Sequence, residues 1–86
     1  MACYTIEWRN SARRELRHLA PPVVSRIVMA VSALGHDPRP SGCRKLVGSE
    51  HTYRIRVGAY RVIYEVLDDR LLVEVVRARH RRDAYR

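Results

Sequence analysis

Phenylalanine is absent, lysine occurs once, and 86 residues hold two cysteines and four glycines. Cys3 and Cys43 stand too far apart for a CxxC metal pair and are too few for a disulfide framework, so two free thiols in a reducing compartment are expected. The four histidines, His18, His36, His51 and His80, lack the spacing of a metal site. There is no P-loop, no GxGxxG and no Ser-His-Asp signature, which removes nucleotide-dependent and acyl-transfer chemistry from consideration. No apolar run approaches the roughly 20 residues of a membrane-spanning helix. Met1 to Trp8 holds no apolar segment behind a basic flank, so the expectation is a protein neither secreted nor membrane-spanning, located in the cytoplasm.

What the sequence does have is arginine. Seventeen basic residues, sixteen of them Arg, face nine acidic ones, for a net charge of +8. The excess is spread out, with six basic and three acidic residues up to Cys43 and eleven and six thereafter, so the fold itself carries it rather than a tail. Such a balance points to a polyanionic partner, either nucleic acid or an acidic protein. The length suits one domain spanning residues 1–86, and 47% apolar residues are enough for one modest core.

The coarse pattern predicts an α+β fold: an N-terminal strand, a helical hairpin, then an antiparallel three- to four-stranded sheet. Cys3 to Trp8 alternates, with Tyr4, Ile6 and Trp8 on one face. Asn10 or Ser11 is expected to cap a short helix whose apolar stripe is Ala12, Leu16 and Leu19. Pro21 and Pro22 open a second helix, in which Val24, Ile27, Val28, Val31 and Leu34 repeat at helical spacing. Gly35 stands where a left-handed cap would close it. After the loop HDPRPSG, Thr52 to Val57, Ala59 to Val66 and Arg70 to Arg77 read as strands separated by turn-sized breaks.

Residues two apart in a strand share a face. Tyr53, Ile55 and Val57 therefore belong to the helix-packed side, and Arg54 and Arg56 project together from the other. Arg61 begins the next strand, Arg77 ends the one after, and the chain closes on Arg79-His80-Arg81-Arg82-Asp83-Ala84-Tyr85-Arg86, so a convergent basic sheet face is expected. Guanidinium groups bind phosphate oxygens bidentately, and Tyr or His stacks on an unpaired base. Glu50 beside His51 reads either as an acid–base pair or as ordinary loop residues.

The block Tyr53-Arg54-Ile55-Arg56-Val57-Gly58-Ala59-Tyr60-Arg61-Val62-Ile63-Tyr64, joined to His80-Arg81-Arg82-Asp83-Ala84-Tyr85, resembles the RelE-like branch of the RelE/ParE toxin superfamily. The order of elements extends the resemblance over essentially the whole chain. It implies a RelE-like toxin of a toxin–antitoxin system, an mRNA interferase that enters the ribosomal A site, cuts mRNA there and is inhibited by a cognate RelB-like antitoxin. By position, the catalytic roles fall on Arg54, Arg56, Arg61, Arg81 and Tyr85, while Lys45, Arg77 and His80 complete the expected nucleic-acid contacts. The implied reaction is metal-independent and cofactor-free: a ribose 2′-hydroxyl attacks the neighbouring phosphorus, leaving a 2′,3′-cyclic phosphate and a 5′-hydroxyl. Operator DNA would be reached only through the antitoxin.

Well-known members carry lysine where this chain has Arg54 and Arg56, and a guanidinium does not give up its proton. The general base then falls to Tyr85, to His80 or to the ribosome. The alternative on the same fold is a ParE-like DNA gyrase inhibitor without nuclease activity, which has no need of converging phosphate ligands.

Overall fold

The computed structural model describes residues 3–80 and 82. Its elements are β1 (Thr5–Trp8), α1 (Asn10–Leu16), α2 (Pro21–Ala33), β2 (Arg44–Lys45), β3 (Thr52–Val57), β4 (Tyr60–Leu67), a 3-10 turn (Asp68–Arg70) and β5 (Leu72–His80). The strands form one mixed sheet in the order β1-β5-β4-β3-β2. β2 to β5 pair antiparallel with one another, and β1 runs parallel to β5. This is the α+β arrangement that the pattern predicts, with the helical hairpin as the crossover between β1 and the meander.

The core lies between the helices and one sheet face. Ala12 of α1, Ile27 and Val31 of α2, and Leu34 meet Ile55, Val62, Tyr64, Val66, Val73, Val75 and Ala78. Tyr4, Ile6 and Trp8 pack beside them from β1. The prolines occupy the first turn of α2, where a missing N–H costs nothing. Among the described residues no helix is long and apolar enough to cross a membrane.

Two expectations about helix ends are corrected. Neither Asn10 nor Ser11 caps α1. Arg9 takes the cap position without a side-chain bond, and Ser11 Oγ instead donates to the Val76 carbonyl at 2.7 Å. Gly35 is not left-handed; the positive-φ glycines are Gly42, Gly48 and Gly58. Gly35 is small because a Cβ there would come within 3.2 Å of the Tyr4 carbonyl oxygen and 3.3 Å of that of Ser32. Close approach, not backbone handedness, selects glycine at this point.

A strap of loop crosses the sheet's helix-bearing side. Arg39 makes a two-pronged contact with Asp68, at 2.7 and 3.2 Å, and donates to the Tyr53 hydroxyl at 3.0 Å. Tyr4 donates to the same carboxylate at 2.5 Å, and Tyr64 donates to the Pro38 carbonyl at 2.8 Å. Hydrogen bonds from Arg39 and Tyr4 hold the Asp68 carboxyl down at about 2. Burial pushes the Tyr64 phenol above its usual range, and the neighbouring Cys43 adds to the shift.

Candidate nucleic-acid interface

The helix-free face of the sheet is ordered in rows by strand register. Arg44, Arg54, Ile63 and Arg77 stand side by side across β2, β3, β4 and β5. One step toward the β3–β4 hairpin, Arg56, Arg61 and Arg79 form a second row. One step the other way lie Thr52, Glu65, Glu74 and Glu7. Arg9 is clamped onto that acidic row, 2.8 Å from Glu74 and 3.5 Å from Glu65. The face is thus polar along its strands, basic at the hairpin end and acidic beyond Ile63.

A β-bulge creates half of this arrangement. Ile63 pairs with Arg77 but the next residue, Tyr64, pairs with Val75, so Val76 is the extra residue. Without it, Arg77 would fall in phase with the buried Val73 and Val75. With it, Ala78 takes the inward position opposite Val62, and Arg77 and Arg79 turn to the open face.

α1 then holds the exposed edge of β5 beyond its pairing with β1. Glu15 accepts the Ala78 main-chain N–H at 3.3 Å, binds Arg79 in a short ion pair and lies 3.9 Å from Arg77. One carboxylate on a helix therefore satisfies a strand edge and steadies a basic row.

The most telling group is Arg54. Its Nη1 is buried, yet among the described residues it has no hydrogen-bond partner. A buried guanidinium donor without an acceptor is costly, and such orphans mark places where a ligand completes the structure. Beside it, Arg56, Gly58, Tyr60 and Arg61 line a small hollow of about 90 Å³ at the hairpin. Gly58 has φ of +60° at the first position of a two-residue turn, the conformation that favours glycine in tight hairpins.

The residues singled out in the sequence divide as follows. Arg54, Arg56, Arg61 and Arg77 share the open face. Lys45 opposes Tyr53 and so takes the helix-bearing side; its neighbour Arg44 is the residue beside Arg54. His80 also turns to the helix-bearing side, its ring 5.3 Å from that of Tyr60 in an edge-on contact, with Nδ1 accepting the Arg82 N–H at 3.3 Å. Arg81 and Tyr85 lie outside the described residues. Glu50 and His51 face each other at 3.9 Å, both exposed, before β3 and on the far side of the acidic row from the hairpin. Sequence reasoning missed Arg44 as a member of the face and counted Arg79 with the closing tail rather than with β5. A two-residue strand offers no period to read, and the bulge that turns Arg79 outward has no glycine to announce it. No group of three or more His, Cys, Asp or Glu residues suited to a metal ion occurs among the described residues.

The family model for the ParE toxin of type II toxin–antitoxin systems, parDE, matches residues 6–85. Toxin RelG of Mycobacterium tuberculosis is 34% identical over 96% of this chain and 97% of its own length. Among solved structures, the RelBE2 toxin–antitoxin complex of M. tuberculosis contains a chain with a TM-score of 0.79 and 29% identity, over 91% of this chain and 98% of that one. The archaeal RelE–RelB complex of Pyrococcus horikoshii gives a TM-score of 0.82 at 26% identity, over 98% and 100%. The chain belongs to the RelE/ParE toxin superfamily. Within it, this is the toxin of a RelBE-type toxin–antitoxin pair.

Proposed function

We propose that residues 1–86 form one RelE-like toxin domain that acts as a ribosome-dependent, metal-independent endoribonuclease. It cuts mRNA in the A site and is silenced by a RelB-like antitoxin. The observation that carries this reading is the double row of guanidinium groups around the unpartnered Nη1 of Arg54. A face built only to bind a protein has no reason to bury one nitrogen of a guanidinium without its acceptor, whereas a phosphodiester supplies an oxygen to fill it.

In this reading the RNA 2′-oxygen forms a bond to phosphorus while the bond from phosphorus to the 5′-oxygen breaks. Arg54, Arg56 and Arg61 stabilise the charge gathered on the nonbridging oxygens, and Arg81 donates a hydrogen bond to the departing 5′-oxygen, which takes a proton from water to leave as the 5′-hydroxyl. Arg44 and Arg77 steady the flanking backbone. The proton of the 2′-hydroxyl goes to Tyr85 acting as a phenolate, which becomes the phenol, or to a ribosomal group, since His80 turns toward Tyr60. Lys45 has no part in the phosphate face. Activity on ribosome-bound mRNA places the protein in the cytoplasm, and operator DNA is met through the antitoxin. The solved relatives named above are RelBE and RelE–RelB complexes, which supports the RelE-like reading over gyrase inhibition.

The test is a purified translation system with a programmed ribosome, in which mRNA ends are mapped by primer extension. Cuts confined to the A-site codon, absent with Arg54→Ala and Arg61→Ala, are expected. Intact mRNA with continuing translation overturns the proposal and directs attention to DNA supercoiling.

A further inference from the structure

Outside the two basic rows, one more guanidinium is held against the same hairpin from the opposite layer. Arg26 projects from the exposed side of α2, and its group lies on Gly58. A Cβ at Gly58 would stand 3.0 Å from Nη2 and 3.5 Å from both Cζ and Nη1. Among the described residues, no hydrogen bond or ion pair engages Arg26. The hairpin is therefore gripped between Arg26 on one side and the Arg56–Arg61 hollow on the other. Gly58 lets the backbone turn with positive φ and also leaves the space that Arg26 fills.

We infer that Arg26, seated on Gly58, binds a second phosphate of the RNA, one outside the reacting linkage, as the strand leaves the open face around the β3–β4 hairpin. This rests on the proposed RNA-cutting reading and extends it. The direction follows from the charge order of the sheet. A phosphodiester chain seated on Arg54 and Arg56 that continues along the strands away from the hairpin meets the row of Glu65, Glu74 and Glu7, three carboxylates against the single cation Arg9. Toward the hairpin it meets Arg61, then Arg26. Repulsion closes one exit and attraction opens the other. Arg26 touches no reacting atom in this arrangement; it is a positioning residue that fixes where the flanking chain runs.

The experiment measures binding, so cleavage is not needed for a readout. Fully 2′-O-methylated oligonucleotides of three and seven residues, without terminal phosphates, are titrated with the full chain by fluorescence anisotropy at several salt concentrations. Arg26→Gln is expected to weaken the heptanucleotide three- to tenfold and leave the trinucleotide unchanged. The salt slope for the heptanucleotide should fall by about 0.7, the loss of one single-strand phosphate contact. Arg26→Lys, which retains the charge, keeps that slope. An unchanged heptanucleotide affinity, or equal weakening of both lengths, overturns the inference. Arg54→Gln is the separate control: it weakens both lengths, and if it weakens neither, the open face is not an RNA face and the functional reading fails on its own.

Discussion

Arg56 stands directly opposite Arg61 in the β3–β4 ladder, and Arg79 flanks Arg61 from β5, so one cross-strand row consists of arginine alone. Like charges in facing positions cost a few tenths to about 1 kcal/mol each relative to neutral pairs. Arg79 is compensated by its ion pair with Glu15, but among the described residues no hydrogen bond or ion pair engages Arg56, so its place in the row is a stability cost kept for the sake of the face it builds, and it should be recoverable.

Arg56→Thr is accordingly expected to raise the thermal midpoint by a few degrees. For a domain of this size about 1 kcal/mol corresponds to roughly 4–8 °C, and Arg56 is exposed enough that salt screens part of the effect. Added sodium chloride should stabilise the parent more than the variant. In the ribosome assay the same change should cost about 100-fold or more, as loss of one charge-stabilising donor does. Differential scanning fluorimetry at two salt concentrations beside the cleavage assay checks both arms. A lower midpoint would show that Arg56 holds the hairpin together.

Arg54 makes a sharper form of the same argument. Its buried, unpartnered Nη1 means that the folded chain carries a desolvated donor with no acceptor. Arg54→Met keeps much of the side-chain volume and removes that donor. Stability should stay level or rise by about 1–2 kcal/mol, because replacing an uncompensated buried polar group by an apolar one is neutral to favourable. Cleavage should be abolished. Urea denaturation decides it, and a loss of more than about 1 kcal/mol would make Arg54 a structural residue rather than a phosphate ligand.

The strap gives a pH signature. Asp68 titrates near 2 in the folded protein against an ordinary value of 3.8, because Arg39 and Tyr4 hold its ionised form. A depressed carboxyl contributes stability that is fully present above the unfolded value and is lost as the pH falls through the folded one. The parent should therefore lose stability between about pH 4 and pH 2, over and above the contribution of its other carboxylates. Asp68→Asn should be less stable than the parent at neutral pH and should converge on it across that window. Thermal midpoints taken at half-unit steps of pH would show it, and parallel curves would mean that the Arg39–Asp68 contact does not bear on folding.

How far the sequence revealed this molecule depended on where its periods ran unbroken. β3 is Thr52–Val57, as alternation alone predicts, and the separation of Arg54 and Arg56 from Ile55 follows directly. α2 is readable at its proline start and along Ile27, Val31 and Leu34, which turn inward, whereas Val28, counted in the same stripe, is exposed. β5 is where alternation misleads. Its run Val73, Val75, Arg77 is in phase by counting, and only the bulge at Val76 brings Ala78 inward and Arg77 outward. β2 is two residues long, so nothing distinguished Arg44 from Lys45 before the register was seen. Ser11 was legible as a polar helix start but not as a donor to a carbonyl of β5, 65 residues away. Local pattern carries face and element; long-range pairing decides which of two adjacent arginines or lysines reaches the site.

That dependence on long-range pairing makes Glu15 the residue whose loss should do most damage per atom removed. Its carboxylate accepts the Ala78 N–H on an otherwise open strand edge and pairs with Arg79, with the side chain only 20% exposed. Glu15→Gln keeps an acceptor for Ala78 and gives up the charge, for an expected loss of about 1 kcal/mol. Glu15→Leu takes the carboxylate away from both the Ala78 N–H and the Arg79 guanidinium, for an expected loss of about 2–3 kcal/mol. Native-state hydrogen exchange separates the two effects. The Ala78 amide should stay protected in the parent and in Glu15→Gln and exchange faster in Glu15→Leu by more than the drop in global stability explains. The Leu variant should also associate at high concentration, since an unpaired edge invites a strand from a second copy. Equal Ala78 protection in both variants, after correction for global stability, would mean that the bulged edge is held by Ser11 on Val76 alone.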